Sequence, residues 1–280
     1  MELRAPRFSL RDTLECGQTF CWYPEGPGYV CSDVGQVVYV EQHGNVLHYE
    51  TSDHEASPVE MFRLYDPLDE IQTEICKDDL IRRSIAFAPD LRIIKDPFFP
   101  CLVSFICSIR NNIPSIRRTV QMLREHYGPR YKFRGKTYYG FPEPENLAGA
   151  DVEVLRRIGL DWRAEFVVSS SRSIASGDVT EEQLRGLSYE EAHSLLKTLY
   201  GVGDKVSDCV CLFSLGFLEA FPIDVWIERV IQDNYGILAS AKAYAKKSQL
   251  AREYFGRYAG YAQEYLYYYS RNNMARTRGS

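Results

Sequence analysis

The sequence predicts an α+β fold: an N-terminal antiparallel β-domain packed on a mainly helical core. Three observations predict it. Short β-branched and aromatic runs fill much of the chain between Tyr29 and Tyr49. Apolar residues recur at helical spacing from about Pro58 onwards. A helix–hairpin–helix at about residues 188–215 carries a capping box, a Gly-Val-Gly turn and an apolar stripe on each helix.

In chain order, Tyr29-Val30-Cys31, Val37-Val38-Tyr39-Val40 and Val46-Leu47-His48-Tyr49 read as strands, and Gln42-His43-Gly44-Asn45 as the turn joining the last two. Ile71, Ile75, Leu80 and Ile81 then fall at helical spacing. Ile93–Pro97 reads as the connection between a first domain, residues 1–95, and a helical core, residues 96–275. Pro97 and Pro100 predict an irregular entry to the apolar stretch Leu102–Ile109. Further helices follow, broken at Gly128-Pro129, Gly135, Gly140, Pro142 and Pro144. Ser188 is the expected N-cap of the next, with Glu191 closing the box and Ala192, Leu195, Leu196 and Leu199 on one face. The second hairpin helix starts near Asp204–Lys205 and buries Val206, Val210 and Phe213. Residues 276–280 read as a disordered tail.

A hydrophobic content of 45% and a charged content of 25% are ordinary for a soluble globular protein. No apolar run approaches the roughly 18 residues that span a membrane, and Met1-Glu2-Leu3-Arg4 lacks the apolar core of a signal peptide. The eight cysteines show no close, repeated spacing and read as reduced thiols. An intracellular monomer is expected, in the cytoplasm or nucleoid of a prokaryote or the nucleus of a eukaryote. The net charge of −5 argues against nucleic acid, but its distribution does not. Acids predominate between Glu50 and Asp79. From Leu102 to Lys136, eight basic residues (Arg110, Arg117, Arg118, Arg124, Arg130, Lys132, Arg134 and Lys136) face only Glu125. Lys242, Lys246, Lys247, Arg252 and Arg257 form a later group. One such cluster is ordinarily a solvated helix face; two around a phosphate-binding hairpin read as a DNA footprint.

The chemistry concentrates in Gly201-Val202-Gly203-Asp204-Lys205, followed nineteen residues after the lysine by Asp224. A helix start disfavours a protonated ammonium, partial burial would depress the lysine pKa further, and a neutral amine is a nucleophile. Gly201, Val202 and Gly203 offer backbone N–H groups to a phosphate. Cys209, four residues after Lys205, shares its helix face. Taken alone, Asp224 would be a helix N-cap and Cys209 a small core residue. Cys209-x-Cys211 has no second cysteine pair or histidine partner, so no metal is expected. The Gly-rich turn lacks Walker A spacing and a Ser/Thr after the lysine, and no cofactor is expected.

Five segments together resemble the helix–hairpin–helix DNA glycosylase superfamily, specifically its 8-oxoguanine DNA glycosylase/lyase branch. Gly17-Gln18-Thr19-Phe20-Cys21-Trp22 resembles its N-terminal Gly-Gln-x-Phe-x-Trp motif, and Phe105–Ser108 with Asn111-Asn112-Ile113 its Asn-rich loop. Leu160–Ala164 resembles Gly-Tyr-Arg-Ala, Leu199–Cys209 the lysine hairpin, and Gly260-Tyr261-Ala262-Gln263 a Gly-Trp-Ala-Gln helix. The resemblance implies that Lys205 attacks the deoxyribose C1′ and expels the base. It implies that Asp224 stabilises the cationic sugar and helps keep the lysine deprotonated. β-Elimination from the Schiff base follows. Gly17 would accept the N7–H that 8-oxoguanine has and guanine lacks, Gln263 would read the Watson–Crick edge, and Cys209 and Tyr267 would sandwich the flipped base. Double-stranded DNA carrying 8-oxoguanine is the implied partner.

The departures concern the other strand. The eukaryotic Asn-Asn-Asn-Ile-x-Arg loop reads Arg110-Asn111-Asn112-Ile113-Pro114-Ser115 here. Trp162 stands for a Tyr wedge, Arg163 is kept, and Trp226 replaces a histidine that contacts a DNA phosphate. With Ser115 in place of an arginine, the expected preference for cytosine opposite the lesion is weaker than in eukaryotic members, by roughly one to two orders of magnitude. Two other readings are a monofunctional alkylbase glycosylase and a non-catalytic DNA-binding module. Lys205 argues against the first, because an enzyme that activates water needs no amine there.

Overall fold

The computed structural model describes residues 1–274, so the expected tail at 276–280 lies outside the described residues. Five strands form one antiparallel sheet: β1 (Glu2–Arg4), β2 (Trp22–Glu25), β3 (Gly28–Cys31), β4 (Val38–His43) and β5 (Val46–Thr51), in the order β1-β5-β4-β3-β2. His43 pairs with Val46 across Gly44-Asn45, and Gly44 supplies the positive φ (57°) that such a tight turn needs. The three predicted strands are therefore present. β1 and β2 were not foreseen: one is three residues long, and the other carries Pro24 and Glu25 on the sheet's edge, where proline is tolerated.

A second correction lies at Gly135, which separates two strands instead of two helices. β6 (Arg130–Phe133) and β7 (Lys136–Tyr139) form a hairpin closed by Arg134-Gly135, both at positive φ (48° and 73°). That pair of conformations matches the right-handed twist of the flanking strands. The hairpin is held to the sheet by the Arg134 guanidinium, 3.9 Å from the Tyr39 ring centroid and bonded to Glu50 at 3.0 Å through Nε.

Seven helices matter for the site. α1 (Leu10–Glu15) precedes β2. α2 (Phe98–Cys107) is buried along its whole length and begins four residues before the predicted apolar stretch. Pro97 and Pro100 do not make its entry irregular, because a first-turn N–H has no intrahelical partner to lose. α3 (Ile113–Tyr127) is capped by Asn112, whose Oδ1 accepts from the Ser115 N–H at 3.0 Å. α4 (Tyr189–Leu196) carries the predicted capping box, with the Ser188 N–H donating to Glu191 Oε2 at 3.0 Å. α5 (Asp204–Val210) runs on into a wider, fully buried turn through Leu215. α6 (Val225–Asn234) and α7 (Ala259–Met274) complete the set. One hydrophobic core joins sheet and helices, from Leu14, Val38 and Leu47 to Leu102, Val210 and Leu266. Among the described residues no helix is long and apolar enough to cross a membrane.

The basic clusters are narrower as a DNA footprint than the sequence implied. Arg124 is buried and fully engaged, donating to Asp33 Oδ1 and the Phe20 carbonyl at 2.8 Å each. Arg134 and Lys136 pair with Glu50 and Glu25, Lys247 with Glu228, Arg252 with Glu190, and Arg257 with Glu70 and Glu74. Charges that are distant in sequence meet across the fold, and a linear count cannot register that.

Candidate active site

A cleft of about 1190 Å³ opens where α5, the end of α2, the start of α6, α7 and the Gly17 turn converge. Lys205 is the second residue of α5, and no side chain caps that helix start, where Gly203 is the N-cap. The Lys205 Nζ donates to Ser108 Oγ at 3.0 Å and lies 4.8 Å from the Phe105 ring centroid, so an aromatic face and a hydroxyl fix the amine. Asp224 faces the same cleft and also caps α6, its Oδ1 accepting from the Trp226 and Ile227 N–H groups at 2.9 Å each. The capping expectation therefore holds together with a place in the cleft. Burial pushes the Asp224 carboxyl above its usual range, opposed by the Ile227 N–H and the Lys205 charge. Cys209 lines the cleft one turn after the lysine, and burial raises its thiol to about 12, which keeps it a neutral apolar wall.

A buried strut fixes the amine's helix against the carboxylate's. Tyr189 and Tyr244 both donate to Asp208, the latter at 2.7 Å. The Tyr244 hydroxyl in turn accepts the N–H of Ile223, the residue before Asp224, at 3.0 Å. α4, α5 and the Asp224 turn thus share one polar hub in an apolar setting, where such bonds are strongest.

The opposite wall is built by Gly17 and α7. Gly17 has φ 118°, and a Cβ there would stand 2.7 Å from Arg271 Nη1 and 3.0 Å from Tyr267 Cε1, so only glycine fits. Gln18 locks this turn from behind. Its Nε2 donates to the Thr13 and Arg92 carbonyls at 2.8 Å each, and its Oε1 accepts from the Ile94 N–H at 2.9 Å. Gln263 is buried, its Oε1 without a partner among the described residues, and Tyr267 follows one helical turn later. Sequence reasoning assigned no role to Phe105, Ser108, Glu264 or Arg271, all of which line the cleft. Glu264 is buried, its Oε1 without a partner among the described residues, and burial pushes its carboxyl up to about 7. Arg271 alone carried a signal, its helical spacing of four residues from Tyr267, and even that does not say which face of α7 meets the cleft.

At the rim, Gly201 (φ 85°) packs so closely on Phe166 that a Cβ would fall 2.1 Å from the ring, whereas one at Gly203 would meet no atom within 4 Å. Val202 is buried, and its N–H closes the hairpin on the Leu199 carbonyl at 3.0 Å. The hairpin is thus anchored on one side and open on the other. Trp162 (45% exposed) and Tyr200 (56% exposed) both pack edge-to-face with Phe166, with centroids at 5.4 and 4.9 Å. Trp162 has the exposure of a wedge. Arg163 is 5% exposed and donates to the carbonyls of Ile109 at 2.7 Å and Arg110 at 3.2 Å. Those carbonyls belong to a loop bent by Arg110 at φ 50°, and the arginine braces it. Asn111 donates to the Cys107 carbonyl at 3.1 Å, Asn112 caps α3, and Arg110 is exposed. Among the described residues no group of three or more His, Cys, Asp or Glu side chains is placed to hold a metal.

Residues 1–102 match the family described as 8-oxoguanine DNA glycosylase, N-terminal domain, and residues 103–255 the HhH-GPD superfamily of base excision DNA repair proteins. The structure of MBOgg1 in complex with a low-affinity DNA ligand is 32% identical, with a TM-score of 0.90 over 98% of this chain and 96% of that one. The Clostridium acetobutylicum 8-oxoguanine glycosylase/lyase, in complex with double-stranded DNA containing cytosine opposite 8-oxoG, is also 32% identical. Its TM-score is 0.89 over 96% of this chain and 93% of that one. A probable N-glycosylase/DNA lyase of Methanothermobacter thermautotrophicus is 30% identical over 204 residues, 65% of this chain. The match spans 64% of that protein, less than two thirds of its length.

Proposed function

The chain belongs to the 8-oxoguanine glycosylase branch of the HhH-GPD superfamily, and on that premise we propose that it is a bifunctional DNA N-glycosylase and abasic-site lyase acting on 8-oxoguanine in duplex DNA. The observation that carries the reading is Lys205: a primary amine held at the wall of the cleft by Ser108, with the Asp224 carboxyl facing the same space. The flipped base enters between Cys209 and Tyr267. The Gly17 carbonyl accepts its N7–H, and Gln263 takes the Watson–Crick edge, its Oε1 having no partner among the described residues. The open side of the Gly201-Val202-Gly203 hairpin and the uncapped start of α5 receive a backbone phosphate. Trp162 fills the space the base leaves in the duplex.

The neutral Lys205 amine attacks C1′. The C1′–N9 bond breaks, and its electron pair leaves with the base, which takes up a proton. The carboxylate of Asp224 stabilises positive charge on the sugar as that bond lengthens. Ring opening gives a protonated Schiff base, loss of a C2′ proton follows, and the 3′ C–O bond breaks by β-elimination. Lys205→Gln tests this assignment. Single-turnover assays on an 8-oxoguanine·cytosine duplex should show base release and strand cleavage abolished, with lesion-DNA affinity retained because hairpin and wedge are intact. Full base release by the variant would refute the amine mechanism.

A further inference from the structure

α7 carries more polar chemistry into the cleft than base recognition by Gln263 uses. Gln263, Tyr267 and Arg271 are spaced four residues apart and line one wall, which spans roughly 12 Å along the helix. Arg271 is fixed on three sides. Its Nη2 donates to the Glu15 carbonyl at 2.8 Å, at the end of α1, where the helix dipole favours a cation. Its guanidinium carbon lies 5.5 Å from the Tyr267 ring centroid and 6.0 Å from that of Tyr268. A second nitrogen, Nη1, is buried and has no hydrogen-bond partner among the described residues. A buried, unsatisfied donor on a charged group is costly, and here it stands at the inner edge of a cleft beside Gly17.

We propose that Arg271 is a specificity-determining residue whose Nη1 donates to the C8 oxygen of the flipped base. The proposal rests on the reading of the cleft as an 8-oxoguanine pocket. A purine stacked on Tyr267 with its Watson–Crick edge towards Gln263 turns its five-membered ring towards the other end of the wall, where Arg271 stands. Gly17 takes the N7–H, and the neighbouring exocyclic atom on that ring is O8, which is an acceptor in the lesion and a C–H in guanine. The lesion is then read at both of its altered positions: by an acceptor at N7–H and by a charged donor at O8. Glu264, on the same face of α7 and buried, feels the guanidinium, whose charge opposes the upward push that burial gives its carboxyl.

The test compares wild type with Arg271→Met and Arg271→Lys in two assays. In single turnover, Arg271→Met should slow 8-oxoguanine excision roughly 10- to 100-fold, the scale of one hydrogen bond to a charged group. Cleavage of a preformed abasic-site duplex should be unchanged, and Arg271→Lys should recover part of the loss. In calorimetry, free 8-oxoguanine and free guanine are titrated into the complex with a tetrahydrofuran abasic-analogue duplex. Arg271→Met should lose affinity for 8-oxoguanine only. Equal losses on lesion and abasic DNA, equal losses for both free bases, or no loss would each overturn the proposal. Absence of 8-oxoguanine excision by the wild type would instead refute the functional reading on which the proposal stands.

Discussion

Asp161 sits just before the exposed Trp162 with φ 51° and ψ −132°, a conformation that only glycine adopts without strain. The matching family segment begins with glycine there, so this chain holds its wedge on a strained residue. Its carboxylate is largely exposed and its nearest cation, Arg163, is 4.0 Å away, an arrangement too weak to offset the strain. Asp161→Gly should stabilise the protein by about 1 kcal/mol, the relief of strain less the greater backbone freedom of glycine in the unfolded chain. Thermal denaturation checks this, and a lowered midpoint would mean that the side chain makes a contact worth more than the strain. Lys205, Asp224 and Cys209 could be placed together from their spacing around a marked helix, and Gln263 and Tyr267 only from the resemblance; all five line the cleft. Ser108, Glu264 and Arg271 could not be placed in it: their place depends on how α2, α7 and the Gly17 turn meet. The same holds for the bracing of the Arg110 loop by Arg163, whose carbonyl partners only the fold brings to it.

Elements were most legible where local chemistry determines them. The β4–β5 hairpin follows from alternating side chains around Gly44-Asn45, and α4 from a capping box that forms as expected. The β6–β7 hairpin was missed because Gly128, Gly135 and Gly140 read as helix breaks. The alternation through Tyr131, Phe133 and Tyr138, with Arg134-Gly135 at the tip, was the signal available. Arg134 adopts a positive φ that is uncommon outside glycine, asparagine and aspartate, and its contacts to Tyr39 and Glu50 hold it there. α2 was shortened in the sequence reading because two prolines look like breakers, and at a helix N-terminus they are not.

Across the whole molecule, two carboxyls far apart in sequence are buried in one continuous core, Asp96 beside α2 and Glu264 on α7. Burial raises both to about 7. Each pKa exceeds its unfolded value, so between about pH 4 and 7 the unfolded chain releases protons that the folded protein keeps. Stability contributed by these groups therefore falls as pH rises through that window. Asp96→Asn removes one of them and should flatten the decline between pH 5 and 8, by an amount on the order of 2 kcal/mol. Denaturant unfolding of both proteins at the two pH values measures it, and parallel declines would place the titration elsewhere. The central claim concerns the reaction, a lysine amine attacking the sugar of an excised 8-oxoguanine. Borohydride trapping with an 8-oxoguanine duplex, followed by mapping of the adduct in the digested protein, tests it most directly. A covalent protein–DNA adduct on Lys205, formed with lesion DNA and not with an undamaged duplex, is the predicted result. Release of 8-oxoguanine with no trappable adduct, or an adduct on another residue, would contradict it.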